Sequence, residues 1–122
     1  MKIVLTTGVL GLAAIAFASV AVAKPSATEA TAVPVAVTGT EFSFKASKKV
    51  LPRNRTIVFR FRNVGDEVHD LAFSNPKKKT AFVAPGKSAT MRIVFKKKGR
   101  YQAICTVGEH FIRGMKITFT VK

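Results

Sequence analysis

The sequence predicts an all-β domain, an antiparallel β-sandwich with Greek-key connections, on three observations. Apolar and polar residues alternate at period two through most of residues 34–122, turn-forming Gly, Pro and Asn punctuate the alternating runs, and no run there has a helical period. About six to eight short strands at such spacing suit two packed sheets rather than one.

The strands follow in order along the chain. Val35 and Val37 begin the first, and Phe42 and Phe44 continue its pattern past Gly39. Ile57, Phe59 and Phe61 share one face of the next, with Arg60 and Arg62 on the other. Val68 to Phe73 reads as a short strand with His69 in phase with Leu71 and Phe73. Met91, Ile93 and Phe95 alternate with Thr90, Arg92 and Val94, and Tyr101, Ala103 and Cys105 share a face. Met115, Ile117, Phe119 and Val121 close the series against Lys116, Thr118, Thr120 and Lys122. Between these runs stand Leu51-Pro52-Arg53-Asn54, Val64-Gly65-Asp66, Asn75-Pro76, Pro85-Gly86 and Lys98-Gly99, each with residues that turns require. The lysine triplets 77–79 and 96–98 flank turns, where charge discourages edge-to-edge strand pairing.

What precedes the domain reads differently. Lys2 is followed by an apolar run from Ile3 to Val22 that ends in Ala21-Val22-Ala23, the small-x-small form that a signal peptidase cuts, with Lys24-Pro25 directly after it. Residues 1–23 are therefore expected to be a signal peptide. Residues 24–33, rich in Pro, Ser, Ala, Thr and Glu without periodicity, are expected to be a flexible leader, and residues 34–122 the domain. Cleavage would leave roughly 100 residues, the size of one domain with one core. All ten phenylalanines except Phe17 lie beyond the cleavage site, mostly on inward phases.

The formal charge of +15 would stay almost entirely with the domain. An exported chain, periplasmic or extracellular, does not meet nucleic acid. Its charge faces acidic protein surfaces, with weaker attraction to anionic membranes or cell-wall polymers. The same charge keeps a small β domain apart from its neighbours, and a monomer is expected.

Cys105 is the only cysteine, so no disulfide framework supports the fold. A lone exported thiol is buried and inert, reactive, or bound to metal, and its neighbours discriminate. Near the C-terminus stands Cys105-Thr-Val-Gly-Glu-His110-Phe-Ile-Arg-Gly-Met115, a C-x4-H-x4-M pattern, and the one other histidine, His69, lies upstream. Singly, each residue has a commoner role: a buried small hydrophobe, a core methionine, a surface histidine. As a set they match one chemistry. Soft sulfur suits copper(I), imidazole suits copper(II), and a His2Cys set with a weak, distant methionine is acceptable to both. Cys105 ends one predicted strand and Met115 begins the next, so the intervening loop can curl His110 over an ion at the end of the sandwich.

The segments Asn63-Val-Gly-Asp-Glu-Val-His69-Asp-Leu, Pro85-Gly86, and Gly99-Arg-Tyr101-Gln-Ala-Ile-Cys105 through Gly114-Met115 resemble the cupredoxins, the small blue-copper proteins. The longer ligand loop is closer to rusticyanin-like proteins than to plastocyanin. The resemblance implies one type 1 copper ion, held strongly by His69, Cys105 and His110 and weakly by Met115. It also implies that Asp70, following the first histidine, braces the site by hydrogen bonding. One departure is Glu109, which stands beside His110 where relatives commonly have glycine; a carboxylate there would tune the site without removing a ligand.

Two functions fit. The first is one-electron transport between redox proteins with acidic surfaces, the electron leaving by the edge of His110 through a rim of Val107, Phe111 and Ile112. The second is copper buffering or delivery without a redox partner. An enzyme is disfavoured, because a closed four-ligand site leaves no open position for substrate and two histidines cannot also build the extra clusters of copper oxidases.

Overall fold

The computed structural model describes residues 11, 13–21 and 31–122. Most of the predicted signal peptide and leader, including Val22 and Ala23 of the cleavage site, lies outside the described residues. In the stretch 13–21 the apolar side chains of Ile15, Phe17 and Val20 are exposed and belong to no strand. Among the described residues no helix is long and apolar enough to cross a membrane.

Nine strands follow along the described chain: β1 Val33–Thr40, β2 Ser43–Ala46, β3 Val50–Leu51, β4 Thr56–Asn63, β5 Ala72–Ser74, β6 Lys77–Lys79, β7 Ser88–Val94, β8 Gly99–Ile104 and β9 Lys116–Val121. They form two sheets, ordered β2-β1-β4-β7 and β3-β9-β8-β5-β6. Alternation decides which side chains fill the space between them. Ile57, Phe59 and Phe61 of β4 are fully buried while Arg60 and Arg62 of the same strand face solvent. Ile117, Phe119 and Val121 of β9 do the same for the second sheet. Where the sheets meet, Phe59 packs against Phe73 and Phe119, each with ring centroids 5.3 Å apart, and Phe73 packs edge-on against Phe95 at 5.5 Å. Such pairs each contribute about 0.5–1.5 kcal/mol beyond their buried area. A phenylalanine core thus substitutes for disulfide staples.

The all-β sandwich predicted from alternation is present, with local differences that have physical reasons. The pairings β1–β4 and β3–β9 are parallel, and the other five are antiparallel. Burial alternation is the same for either strand direction, so it carries no sign of this. The first run does not continue past Gly39 as one strand: the chain reverses at Glu41-Phe42, and β2 pairs back onto β1 with Thr40 opposite Ser43. Lys77–Lys79, expected to flank a turn, does so as an edge strand paired with β5, and its three lysines are all exposed. His69 lies in an isolated bridge to Val83 instead of a continuous strand.

Candidate metal centre

Two pieces of backbone carry the donors to one end of the sandwich: the loop between β8 and β9 brings Cys105, His110 and Met115, and the segment before β5 brings His69. Cys105 follows the last residue of β8 and Met115 precedes the first of β9, and the Cys105 N–H donates to the Met115 carbonyl at 3.1 Å, closing the loop at its base. Inside the loop, the His110 N–H donates to the Val107 carbonyl at 3.1 Å and the Met115 N–H to the His110 carbonyl at 3.0 Å, so His110 is turned back over the sheet end. His69 is fixed from the other side by a two-way backbone bridge to Val83. Asn63, buried at the end of β4, organises that approach. Its Nδ2 donates to the carbonyls of Glu67 (2.6 Å) and Val83 (2.8 Å), and its Oδ1 accepts from the Gly65 N–H at 2.9 Å.

The donor atoms converge. His69 Nδ1 and His110 Nδ1 are 3.1 Å apart, and Cys105 Sγ lies 3.5 Å from His110 Nδ1 and 3.8 Å from His69 Nδ1. His69 and Cys105 are inaccessible, His110 is nearly so, and Met115, at the end of the loop that carries Cys105 and His110, is fully buried. With first-row bond lengths of about 2.0 Å to imidazole nitrogen and about 2.3 Å to thiolate, as zinc sites have, a planar three-ligand set has edges of roughly 3.5–3.8 Å. The two sulfur–nitrogen edges, 3.5 and 3.8 Å, match this size, and the nitrogen–nitrogen edge, 3.1 Å, would open by about 0.4 Å around a bound ion. One thiol sulfur and two imidazoles converge here, and with the buried Met115 thioether at the end of the same loop they make up the donor types of a type 1 copper site.

The electrostatics favour a cation. Burial pushes the Cys105 thiol up from its ordinary range, opposed by backbone N–H groups of Asp70 and Val107 aimed at the sulfur and aided by the Asp70 charge. Thiolate here therefore requires a positive partner, which a bound metal supplies. Asp70 is buried, and its carboxylate accepts from the Thr106 N–H at 2.6 Å and the Thr106 Oγ1–H at 2.5 Å. It ties the residue after His69 to the residue after Cys105.

Two residues that sequence reasoning did not single out contact the histidines from outside. Glu41 Oε1 lies 3.0 Å from His69 Nε2, and Glu67 Oε2 lies 2.7 Å from His110 Nε2. No periodicity marks either one, since both are carboxylates in turns, where solvated acids are the usual case. Glu109, by contrast, is exposed, and the carboxylate on His110 is that of Glu67. Of the expected rim, Phe111 is 43% and Ile112 81% exposed, whereas Val107 packs partly against the core.

Gly114 enters Met115 with φ +101°, a conformation that side chains rarely adopt, and a Cβ there would meet nothing within 4 Å. Gly114→Ala is therefore expected to cost stability through backbone strain alone, about 1–3 kcal/mol, measurable by urea denaturation. A wild-type midpoint would mean that the loop relaxes freely.

A family model described as a cupredoxin-like domain matches residues 11–118. Among curated proteins, none matches this sequence. Solved structures share the fold. Auracyanin A of Chloroflexus aurantiacus, described as a "blue" copper protein, is 16% identical with a TM-score of 0.60, over 75% of this chain and 99% of that one. Reduced rusticyanin is 19% identical with a TM-score of 0.59, over 75% of this chain and 80% of that one. The periplasmic domain of cytochrome oxidase subunit II from Bradyrhizobium japonicum is 16% identical with a TM-score of 0.63, over 74% of this chain and 83% of that one.

Proposed function

This chain belongs to the cupredoxin-like family, and from that membership we propose that it is an exported one-electron carrier working outside the cytoplasmic membrane. His69, Cys105 and His110 hold the copper ion strongly and Met115 weakly. A copper ion so bound alternates between two oxidation states. The observation that carries this reading is the convergence of two imidazole nitrogens and one sulfur within 3.8 Å of one another at the end of the sandwich. The chain's own part is to hold those donors in one arrangement, exclude water from them, and leave one edge near the surface.

That edge is His110, with Phe111 and Ile112 exposed next to it. An open groove continues from Phe111 across the face of β5 and β8, lined by Lys77, Lys78, Lys79, Arg100 and Tyr101. Apolar contacts close to the ligand and cations farther out suit brief docking of an acidic redox protein. Such encounters bury less than about 1,200 Å² and are steered by charge.

Stopped-flow reduction by an acidic redox protein tests this. Converting Lys77, Lys78 and Lys79 together to Glu should slow association about tenfold or more at low ionic strength. The difference should vanish as salt rises, with an unchanged visible spectrum. A rate equal to wild type and independent of salt would remove the steering. Copper handed quickly to an apo-acceptor, with no reversible reduction, would make the protein a delivery module instead.

A further inference from the structure

The turn between β1 and β2 reaches across the sandwich end and touches both histidines. Glu41 Oε1 lies 3.0 Å from His69 Nε2 and also accepts the N–H groups of Asp66 and Glu67, each at 2.8 Å. Phe42, the next residue, sets its ring 5.1 Å from that of His110, and the Arg113 guanidinium lies over the Phe42 ring, 5.1 Å from its centroid. Glu67, whose N–H holds Glu41, turns its own carboxylate onto His110 Nε2 at 2.7 Å. Each imidazole thus has its outer nitrogen against a carboxylate and its inner nitrogen facing Cys105.

We propose that Glu41 is a positioning residue for the copper centre. It accepts the Nε2–H of His69, fixes the tautomer whose Nδ1 lone pair faces Cys105, and with Glu67 places negative charge behind both ligands, lowering the reduction potential. This rests on His69 and His110 being ligands. A neutral imidazole carries one proton, so the nitrogen that donates to a carboxylate leaves the other free to bind metal. The same contact makes the ligand a stronger donor, and negative charge near the ion favours its more positive, oxidised state. Glu41 suits the task. Its Oε1 also accepts the backbone N–H groups of Asp66 and Glu67, and hydrogen bonds of that kind favour the ionised carboxylate. Glu67 is more exposed, its side chain 54% accessible against 27% for Glu41, and its charge is better screened by water.

Gly65 supplies an independent handle. A Cβ at that position would fall inside contact distance of both Glu41 carboxylate oxygens. Those oxygens end a flexible side chain, so Gly65→Ala would push the carboxylate off His69 without removing its charge or breaking a strand. Glu41→Gln does the reverse: it keeps an acceptor in place and removes the charge.

The copper-free proteins are examined first, by nitrogen-15 NMR of the histidine rings. Wild type and Glu41→Gln should show His69 protonated at Nε2, and Gly65→Ala should show a mixture of tautomers. With copper bound, redox titration of Glu41→Gln should show the reduced-to-oxidised ratio at fixed ambient potential rising about tenfold, which is 59 mV for one electron. Glu67→Gln should shift it in the same direction by less. An unchanged His69 tautomer in Gly65→Ala overturns the positioning role, and an unmoved midpoint in Glu41→Gln overturns the electrostatic one. If wild type takes up no copper, the ligand assignment is what fails, and the tautomers of the copper-free proteins still decide whether Glu41 orients His69.

Discussion

Replacing Cys105 with serine is expected to abolish the intense visible absorption of the copper(II)-loaded protein while leaving the sandwich folded. The sulfur is one corner of the donor triangle, 3.5 and 3.8 Å from the two histidine nitrogens, and it is the only thiol in the chain. A serine hydroxyl does not ionise at ordinary pH, so the metal would lose the one anionic ligand whose charge balances it inside the site. The structural cost is small by comparison. The backbone N–H groups of Asp70 and Val107 that now face the sulfur would find the hydroxyl oxygen, and a hydrogen bond so exchanged changes stability by about 1 kcal/mol. Thermal unfolding separates the two effects. Copper at a hundred times its dissociation constant should stabilise wild type by about 2.7 kcal/mol and the serine variant hardly at all. A variant that kept both the colour and the copper-dependent stabilisation would mean that Cys105 is not the ligand.

Asp70→Ala should have the second largest effect, on both the fold and the site. The carboxylate is inaccessible and receives two hydrogen bonds from Thr106, at 2.6 and 2.5 Å. Thr106 follows Cys105 and Asp70 follows His69, so this contact sets how the cysteine segment lies against the first histidine. Truncation leaves the Thr106 N–H without a partner, a loss of about 1–3 kcal/mol in urea denaturation. It also loosens a contact outside the ligands, of the kind whose removal weakens metal affinity about 10–100-fold. Asp70→Asn supplies the control, since it keeps one acceptor and removes the charge that pushes the Cys105 thiol up. If asparagine restores affinity, geometry is the property that matters. If alanine binds copper as tightly as wild type, Asp70 serves the fold alone.

The sandwich was legible because burial on one face of a strand forces period-two alternation, and Ile57, Phe59 and Phe61 or Ile117, Phe119 and Val121 leave few other ways to hide apolar surface. The donors were legible for a different reason. Cysteine, histidine and methionine are scarce here, so their spacing in the loop after β8 stands out from the background. Glu41 had neither advantage. It is 28 residues from the imidazole it contacts, it sits in a turn, and a carboxylate in a turn of a lysine-rich chain resembles any solvated acid. Its role depends on how the β1–β2 reversal is aimed, and the alternation of Val35, Val37, Phe42 and Phe44 gave no sign of a reversal at all. Lys77–Lys79 illustrates the same limit from the other side. Three exposed lysines have no burial pattern, and only pairing with β5 makes them a strand.

Cys105, His110 and Met115 all belong to one connector, and its two ends are fastened together by the Cys105–Met115 backbone hydrogen bond. The connector therefore behaves as a cassette whose interior can lengthen or shorten while both β-sheets keep their registers. Insertions within it would re-dimension the metal's surroundings without reopening the folding problem, provided that the Asp70–Thr106 contact continues to anchor the cassette to the rest of the molecule.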